Sequence, residues 1–296
     1  MSWVLLAIVA TFFWASSNIL DKILRTKYLK SSIALTASFG IFGLIFSFIL
    51  FLVIGIPAIP IQHLIAAFVA GILVPYAVIP YIKALSLEEA SRVIPLWHLS
   101  PIFTLILAAV FLNEILTPLH YIAFATILSG GILVSIKRMG NVFHLSPAVA
   151  FMLLSSLLFA IYDVLLKFAY STGIFWETFL VVYASITLSS FSLFFLPNVK
   201  KNVLRVISRR IFIFLIFLSS LLGLVAGIFW NNAILQGPIT LISSFVSFQS
   251  LFVLFLATFL SLKFPLFIKE AIDLKTIGMK LIAIGLMAFG LFLLSL

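Results

Sequence analysis

Polar residues stand at helical spacing inside two apolar segments of the sequence. The intervals of three and four residues place the members of each set on one helix face. The two sets are Thr11, Trp14, Asn18 and Lys22, and Ser156, Phe159, Asp163 and Lys167. Asp163 carries a carboxyl group that could exchange a proton, and Lys167 is four residues away, which is close enough for pairing. We predict that Asp163 and Lys167 line a polar cavity; the alternative is an ion pair that only fixes helix packing.

Trp97, His98 and Pro101 form a second group with possible chemistry. An imidazole changes charge near neutral pH, so His98 could couple a proton to a conformational change. The alternative is a neutral histidine that only makes hydrogen bonds. Pro101 removes a backbone donor and can kink a helix, which would suit a hinge or gate.

Amide side chains in a third apolar region predict a binding role. Asn231 and Asn232 follow Trp230, and Gln249 lies in the next apolar run. Adjacent amides could hydrogen-bond a zwitterion or a hydroxylated ligand, or they could bond neighbouring helices to each other.

Five aromatic residues could line the same cavity as a wall. They are Trp14, Tyr76, Tyr81, Trp97 and Trp230. Tyrosine and tryptophan also concentrate where a membrane meets water, so we expect some of them to belong to that belt instead.

Motifs of enzymes are not found in the sequence. It has no Gly-rich phosphate loop, no His-Glu-x-x-His pair and no Gly-x-Ser-x-Gly elbow. The adjacent acids Glu88 and Glu89 are interpreted as solvated loop residues. The four histidines stand in different segments and do not predict a metal site, and no cofactor is expected.

The composition then places these residues in a membrane protein. Hydrophobic residues make up 64% of the 296 residues and charged residues only 9%, against about a quarter charged in soluble domains. No charged residue occurs from Ser31 to Ile82 or from Ile211 to Leu262. Each stretch is long enough for two spans of about 20 residues. The runs do not alternate as barrel strands do, so the spans are predicted to be helices.

We predict an all-α integral membrane protein with ten transmembrane helices. Their predicted ranges are 3–21, 32–55, 63–84, 92–112, 118–136, 147–169, 175–196, 211–234, 238–261 and 276–295. Of the 18 Lys and Arg residues, sixteen fall in the odd-numbered loops or in the span ends that adjoin them. Because basic loops stay in the cytoplasm, both termini are predicted to lie on the opposite side of the cytoplasmic membrane, outside the cell. The net charge of +10 is thereby explained by orientation, and no nucleic-acid partner is expected.

The chain also aligns with itself, which predicts two halves, 1–140 and 141–296. The first polar set matches the second at an offset of 145, Phe103 matches Phe252 at 149, and Gly130 matches Gly290 at 160. Since five spans is an odd number, the halves must be inserted in opposite directions. Inverted repeats of this kind place a binding site near the middle of the membrane, between the halves.

The first half resembles the EamA repeat of the drug/metabolite transporter superfamily. The resemblance is carried by the end of the third span, the Ser-Pro of the fourth, the acidic residue after it and the glycines of the fifth. These segments are residues 76–85, Ala90-Ser91-Arg92-Val93, Leu99-Ser100-Pro101-Ile102-Phe103, Phe111-Leu112-Asn113-Glu114 and Ser129-Gly130-Gly131. The second half departs from the pattern, with Lys263 in the place of Glu114 and Ser250 in the place of Pro101.

The resemblance implies ten helices in two inverted five-helix repeats and export or exchange of amino acids or other small metabolites. It also implies that Glu114 is a helix-end or gate residue. Typical family exporters have both termini in the cytoplasm, whereas the charge count here predicts the opposite. The expected partners are a small-molecule substrate and membrane lipids, with a monomer favoured and a dimer as the alternative. A flippase of a lipid-linked substrate and a membrane-bound enzyme or scaffold are the competing functions.

Overall fold

A computed structural model of the chain describes residues 2–87, 94–135, 147–263 and 274–294. Among these residues every regular element is helical. The α-helices are α1 Trp3–Lys27, α2 Ser32–Ile54, α3 Ile61–Leu87, α4 Leu99–Phe111, α5 Pro118–Ser135, α6 Pro147–Ala169, α7 Phe175–Ser192, α8 Pro197–Val206, α9 Arg210–Gln236, α10 Ile239–Ser244, α11 Val246–Lys263 and α12 Leu274–Leu293. Short 3₁₀ turns occupy Ile94–His98, Tyr170–Thr172 and Leu193–Phe195. Several predicted loop residues lie outside the described ranges, namely Glu88, Glu89, Arg92, Lys137, Arg138 and Lys269.

Six of the described helices are long and apolar enough to cross a membrane. The candidate spans are Trp3–Arg25, Ser32–Ile54, Ile61–Ala84, Pro147–Thr172, Phe175–Phe195 and Arg210–Gln236. Four further apolar helices are shorter: Leu96–Phe111, Pro118–Leu133, Ile239–Val253 and Leu281–Leu293. The integral membrane class is therefore supported, and within the described residues six of the ten predicted spans reach spanning length.

The basic segment near 197–210, predicted to be a loop, contains the helix α8. Val199, Val203 and Val206 recur at helical spacing and are buried, while Lys200 and Arg205 on the remaining faces are exposed. Pro197 stands at the first helical position, which suits a helix start because proline has no backbone donor to lose there. The many basic residues of this segment favour a loop in the sequence. Its apolar residues nevertheless form one stripe of a helix, and that stripe packs against the bundle.

Helices from the two halves of the chain pack against each other in related pairs. The most extensive contact joins α3 to α6, followed by α1 with α9, α5 with α12 and α2 with α7. The helices α4 and α11 pack on α6 and α1 respectively. These pairs put every large interface between one helix of the first half and one of the second.

Glycines allow two of these pairs to approach closely. A Cβ added at Gly40 in α2 would lie 2.5 Å from the backbone nitrogen of Phe191, beside the end of α7. A Cβ at Gly130 in α5 would lie 2.9 Å from the Ala283 carbonyl of α12, and one at Gly290 in α12 would lie 3.1 Å from the Ala123 carbonyl of α5. The contact between α5 and α12 is reciprocal. The later glycine of each helix lies beside the earlier alanine of the other, so the two helices run antiparallel.

Another glycine pair has the spacing typical of close-packed membrane helices but makes no comparably close contact. Gly223 and Gly227 are four residues apart in α9, the usual spacing of such contacts. A Cβ at Gly223 would meet nothing within 4 Å, and one at Gly227 would meet only the Phe179 ring, at 3.6 Å. In this chain the spacing alone does not identify the helix–helix contact.

Loop contacts define two ends of the bundle. The backbone N–H of Ala58 donates to Glu177 across 2.7 Å, which joins the second loop to the first turn of α7. At the opposite end, Arg209 lies 5.9 Å from the Tyr28 ring, which joins the first loop to the seventh. We call these ends the even-loop face and the odd-loop face. The largest buried cluster lies toward the even-loop face and includes Leu6, Ala10, Ala67, Tyr170, Trp230, Ile239 and Phe245.

Candidate functional site

The polar face of α1 lies at the odd-loop end. Trp14, Asn18, Asp21 and Arg25 are separated by four, three and four residues, so they share one side of the helix. The opposite side carries Ser16, Ile19 and Leu20, which line a shallow apolar groove of about 220 Å³ with Leu218, Leu222 and Leu256. Asn18 is exposed and lies on the side of α1 that faces away from that groove.

Asp21 is a site residue that the sequence analysis missed. Its carboxylate accepts a hydrogen bond from the Ser219 hydroxyl of α9, and Ser219 is in turn 2.8 Å from the Ser17 hydroxyl. Tyr81 of α3 lies within electrostatic reach of both Asp21 and Arg25. We call Asn18, Asp21, Arg25 and Tyr81 the vestibule.

The aromatic residues form two separate groups instead of one wall. Tyr81 and Trp97 meet edge to face with ring centroids 4.5 Å apart, and Trp97 lies 5.0 Å from Phe159. Trp14 and Trp230 form the second group, 5.0 Å apart. Tyr76 is about half exposed (49%) and belongs to neither group.

A buried polar cluster surrounds Asp163 at the junction of α4, α6 and α9. Asp163 is only 7% exposed and accepts a hydrogen bond from the Thr104 hydroxyl across 3.3 Å. The Tyr162 side chain lies beside both Asp163 and the buried Asn231. Asn231 donates to the Gly227 carbonyl at 2.8 Å, while its own side-chain oxygen has no hydrogen-bond partner. Thr104 and Tyr162 are further site residues that their spacing did not single out.

The ion pair of Asp163 with Lys167, which the sequence left open as the alternative, is not observed among the described residues. The ammonium group of Lys167 donates instead to the carbonyls of Ile234 and Gly237, at 2.8 and 2.7 Å. Those carbonyls belong to the end of α9, where four acceptors lack partners within the helix. A cation is favoured at such an end because the last carbonyls carry partial negative charge.

Glu114 acts on the other side of the same break. Its carboxylate accepts from the backbone N–H groups of Ile239 and Thr240, at 3.0 and 2.8 Å, at the start of α10. Lys167 and Glu114 therefore hold the two helix ends that flank Gly237-Pro238. We call Lys167, Glu114 and this break the latch; it lies at the even-loop face.

Local geometry explains how the latch is built. Asn113 adopts the left-handed region with φ 53°, which ends α4 and turns the chain so that Glu114 can reach α10. Gly237 is needed at the break because a Cβ there would lie 2.6 Å from the Trp3 ring.

His98, Pro101 and Gln249 lie outside these groups. His98 is 2% exposed at the start of α4, and a Cβ added at Gly131 would lie 2.8 Å from its ring, so it packs directly on α5. Pro101 stands in the first turn of α4, where a proline has no intrahelical hydrogen bond to remove. Pro75 and Pro80 instead stand inside a helix, α3. Gln249 is half-buried on α11.

The described residues contain no group of three His, Asp or Glu side chains that could hold a metal ion. Two apolar cavities have linings that do not include Asp163. One is the groove beside α1, and the other, of about 90 Å³, is lined by residues of α2, α8 and α9 together with Ile207.

Comparison with known proteins agrees with this architecture. Residues 1–136 match the model of the EamA-like transporter family. No curated protein sequence matches the chain. Among solved structures 28 chains match, one of which is a crystal structure of a protein with 15% sequence identity. The alignment to it covers 99% of this chain and 96% of the other, with a TM-score of 0.69. At that identity the likeness shows a shared fold over the whole chain.

Proposed function

Because the chain belongs, over residues 1–136, to the EamA-like transporter family, we propose that it is a secondary transporter. Its cargo would be small polar metabolites such as amino acids, carried across the cytoplasmic membrane by alternating access. Family membership indicates a transporter and not an enzyme. The single observation that carries the proposal is the polar interior of the bundle: Asn18 is exposed toward the odd-loop end, whereas Asp163 and Asn231 are buried deeper in the bundle.

Two inverted five-helix repeats, 1–140 and 141–296, would supply the two alternating conformations. Three contacts support this arrangement. The pair α3 and α6 is matched by α9 and α1, and α4 on α6 is matched by α11 on α1. The reciprocal contacts of Gly130 and Gly290 join α5 to α12 in antiparallel fashion. Exchanging the halves maps each of these contacts onto another, as an inverted repeat requires.

The closed side of the transporter would be the even-loop face. The largest buried cluster lies there, and the latch joins α6 to the end of α9 and the residue after α4 to the start of α10. At the odd-loop end Asn18 and Lys22 are exposed on α1. Opening the even-loop face would require Lys167 to release its two carbonyls.

The vestibule favours a zwitterionic cargo. Asp21 could bind an ammonium group and Arg25 a carboxylate, and the two residues are one helical turn apart. Tyr81 and its edge-to-face partner Trp97 add hydrogen-bonding and apolar surface beside them. Paired charges of opposite sign suit amino acids better than neutral sugars or simple cations.

Asp163 is proposed as the group that couples transport to protons. It is buried, and its hydrogen-bond partner is the neutral Thr104 hydroxyl. Acidic residues in membrane helices commonly mark proton or substrate pathways. His98, on the packed side of α4, is the weaker candidate for this role.

The orientation is proposed from charge, with the odd-loop face in the cytoplasm and both termini outside. The exposed cations Lys200, Lys201, Arg205, Arg209 and Arg210 lie at that face. A monomer is proposed, with a dimer as the alternative, since the two halves together make a complete pseudo-symmetric unit.

A flippase of a lipid-linked substrate is the second candidate, and the apolar groove of about 220 Å³ beside α1 favours it. A lipid tail could lie in that groove. Flux measurements separate the two functions, since a flippase would leave free amino acids where they are.

Counterflow in proteoliposomes tests the proposal without knowledge of the coupling ion. A thermal-shift screen first selects the amino acids that bind. Vesicles are then loaded with one of them in unlabelled form, diluted into a trace of its radiolabelled form, and sampled over time. A carrier gives a transient accumulation that Arg25→Gln abolishes and protein-free vesicles lack. Absence of binders in the screen together with absence of counterflow would overturn the transporter of small polar metabolites.

A further inference from the structure

The helix α8 combines features of a membrane-surface element. Its buried stripe of Val199, Val203 and Val206 packs against the bundle, while Lys200, Lys201 and Arg205 are exposed. Large apolar side chains are exposed beside these cations: Phe195, Leu196 and Leu204. A short helix with a strongly basic face and adjoining exposed apolar residues is typical of an interfacial helix that meets anionic lipid.

An apolar slot lies directly beneath this helix. It has a volume of about 90 Å³, and its lining comprises Ser38, Ile41 and Phe42 of α2, Val203 of α8, Ile207, and Phe212, Ile213 and Ile216 of α9. The one polar side chain in this lining, Ser38, already donates to the Ala34 carbonyl at 2.8 Å. The slot therefore offers no hydrogen-bonding group and suits a hydrocarbon chain.

Two cations lie close to slot residues along the chain, one on each of α8 and α9. Lys200 precedes the slot residue Val203 by three positions, and Arg210 precedes Ile213 by three. Both side chains are exposed. Neither α2, α8 nor α9 contains an acidic residue, since the sequence has no Asp or Glu from residue 22 to 87 or from 178 to 269. The three helices that line the slot therefore supply no carboxylate to neutralise these cations.

We propose that the junction of α2, α8 and α9 binds an anionic phospholipid, with its phosphate between Lys200 and Arg210 and part of one acyl chain in the slot. The two halves of such a lipid match the two halves of the site. A free anion would use only the cations, and a neutral lipid only the slot. Basic clusters at the membrane surface attract anionic lipid head groups.

The test uses the purified full-length chain in a neutral detergent. Thermal unfolding is measured with added phosphatidylglycerol, with phosphatidylcholine of the same acyl chains, and with inorganic phosphate. We expect phosphatidylglycerol to raise Tm by about 3–5 °C more than phosphatidylcholine, since a ligand that binds only the folded state stabilises it. Inorganic phosphate at the same concentration should leave Tm unchanged. Equal shifts with both lipids, or the full shift with phosphate alone, would overturn the proposal.

Matched variants locate the effect. Lys200→Gln with Arg210→Gln should remove at least half of the difference between the two lipids. The control, Lys275→Gln with Lys280→Gln, removes the same charge from α12, which packs against α5 and not against α8. An equal loss in the control would mean diffuse attraction to the whole surface and would refute the site. Ile213→Trp keeps every cation and fills the slot from its rim, so it should also lower the preference.

Native mass spectrometry of the parent gives a readout that does not depend on any variant folding. One phosphatidylglycerol molecule per chain should survive at low lipid concentration, and phosphatidylcholine should not compete for it. A ladder of several equally bound lipids, with no step at one, would contradict a single site.

Discussion

Lys167→Met should open the even-loop face. The ammonium group holds the Ile234 and Gly237 carbonyls at 2.8 and 2.7 Å, and methionine keeps the length of the side chain without its charge. A hydrogen bond to a charged group contributes about 1.5–3 kcal/mol. With the lower value for each of two bonds, the closed conformation loses about 3 kcal/mol relative to one in which both bonds are broken. That is roughly a 150-fold change in the equilibrium between closed and open forms.

The sequence has no cysteine, so a single introduced thiol reports on this opening. Thr240→Cys is a suitable reporter because Thr240 is 1% exposed and its hydroxyl has no hydrogen-bond partner. Its backbone N–H, which binds Glu114, is untouched by the change. The rate of alkylation by a polar maleimide is measured on detergent-solubilised protein, where both faces are accessible. We expect the rate to rise by about tenfold if one bond persists in the open form and by about 150-fold if neither does.

Two comparisons make the experiment decisive. Lys30→Met removes an exposed lysine beyond the odd-loop end of α1 and should leave the rate unchanged. Glu114→Gln retains one acceptor oxygen for the α10 backbone and should have a smaller effect than Lys167→Met. If Lys167→Met labels within twofold of the parent, the latch does not hold this face closed.

Three further outcomes follow from the same contacts. Asp163→Asn still accepts the Thr104 hydroxyl, so counterflow should persist while acceleration by a pH gradient disappears; unchanged acceleration would remove Asp163 as the coupling group. Gly40→Ala should lower Tm by several degrees, since overpacking costs about 1–3 kcal/mol, whereas Gly223→Ala, with open space around it, should leave Tm unaltered. His98→Gln should keep the ratio of fluxes at about pH 6 and about pH 8, because its ring packs on Gly131; a changed ratio would assign the coupling to His98.

The sequence predicted the parts of this fold that follow from composition and helical spacing. Apolar run length located the six long spans, and the Gly237-Pro238 break is where α9 ends. What it could not predict depends on contacts between distant segments. The i, i+4 spacing of Asp163 and Lys167 allowed an ion pair, but the unpaired carbonyls of α9 were the stronger partner for the ammonium group. No local pattern reveals that those carbonyls lie beside α6.

Asp21 illustrates the opposite error. It is the last residue of the predicted first span, 3–21, whereas α1 continues for six more residues to Lys27. Its role became visible only when Ser219 of α9 was placed beside it. The segment 197–210 was also predicted incorrectly: its basic residues indicated a loop, whereas its buried valines form the apolar stripe of α8.

The crossing of α5 and α12 has a consequence for how such a molecule could arise. Gly130 meets Ala283 while Gly290 meets Ala123, so each side of the interface presents equivalent positions to the other. A surface that is complementary to its own inverted image does not depend on a covalent tether. Two independent polypeptides, each equal to one half and threaded through the bilayer in opposite senses, would reproduce the same crossing. Gene fusion would then fix their ratio at one to one and leave each copy free to diverge, which would account for Glu114 and Lys263 at matching places.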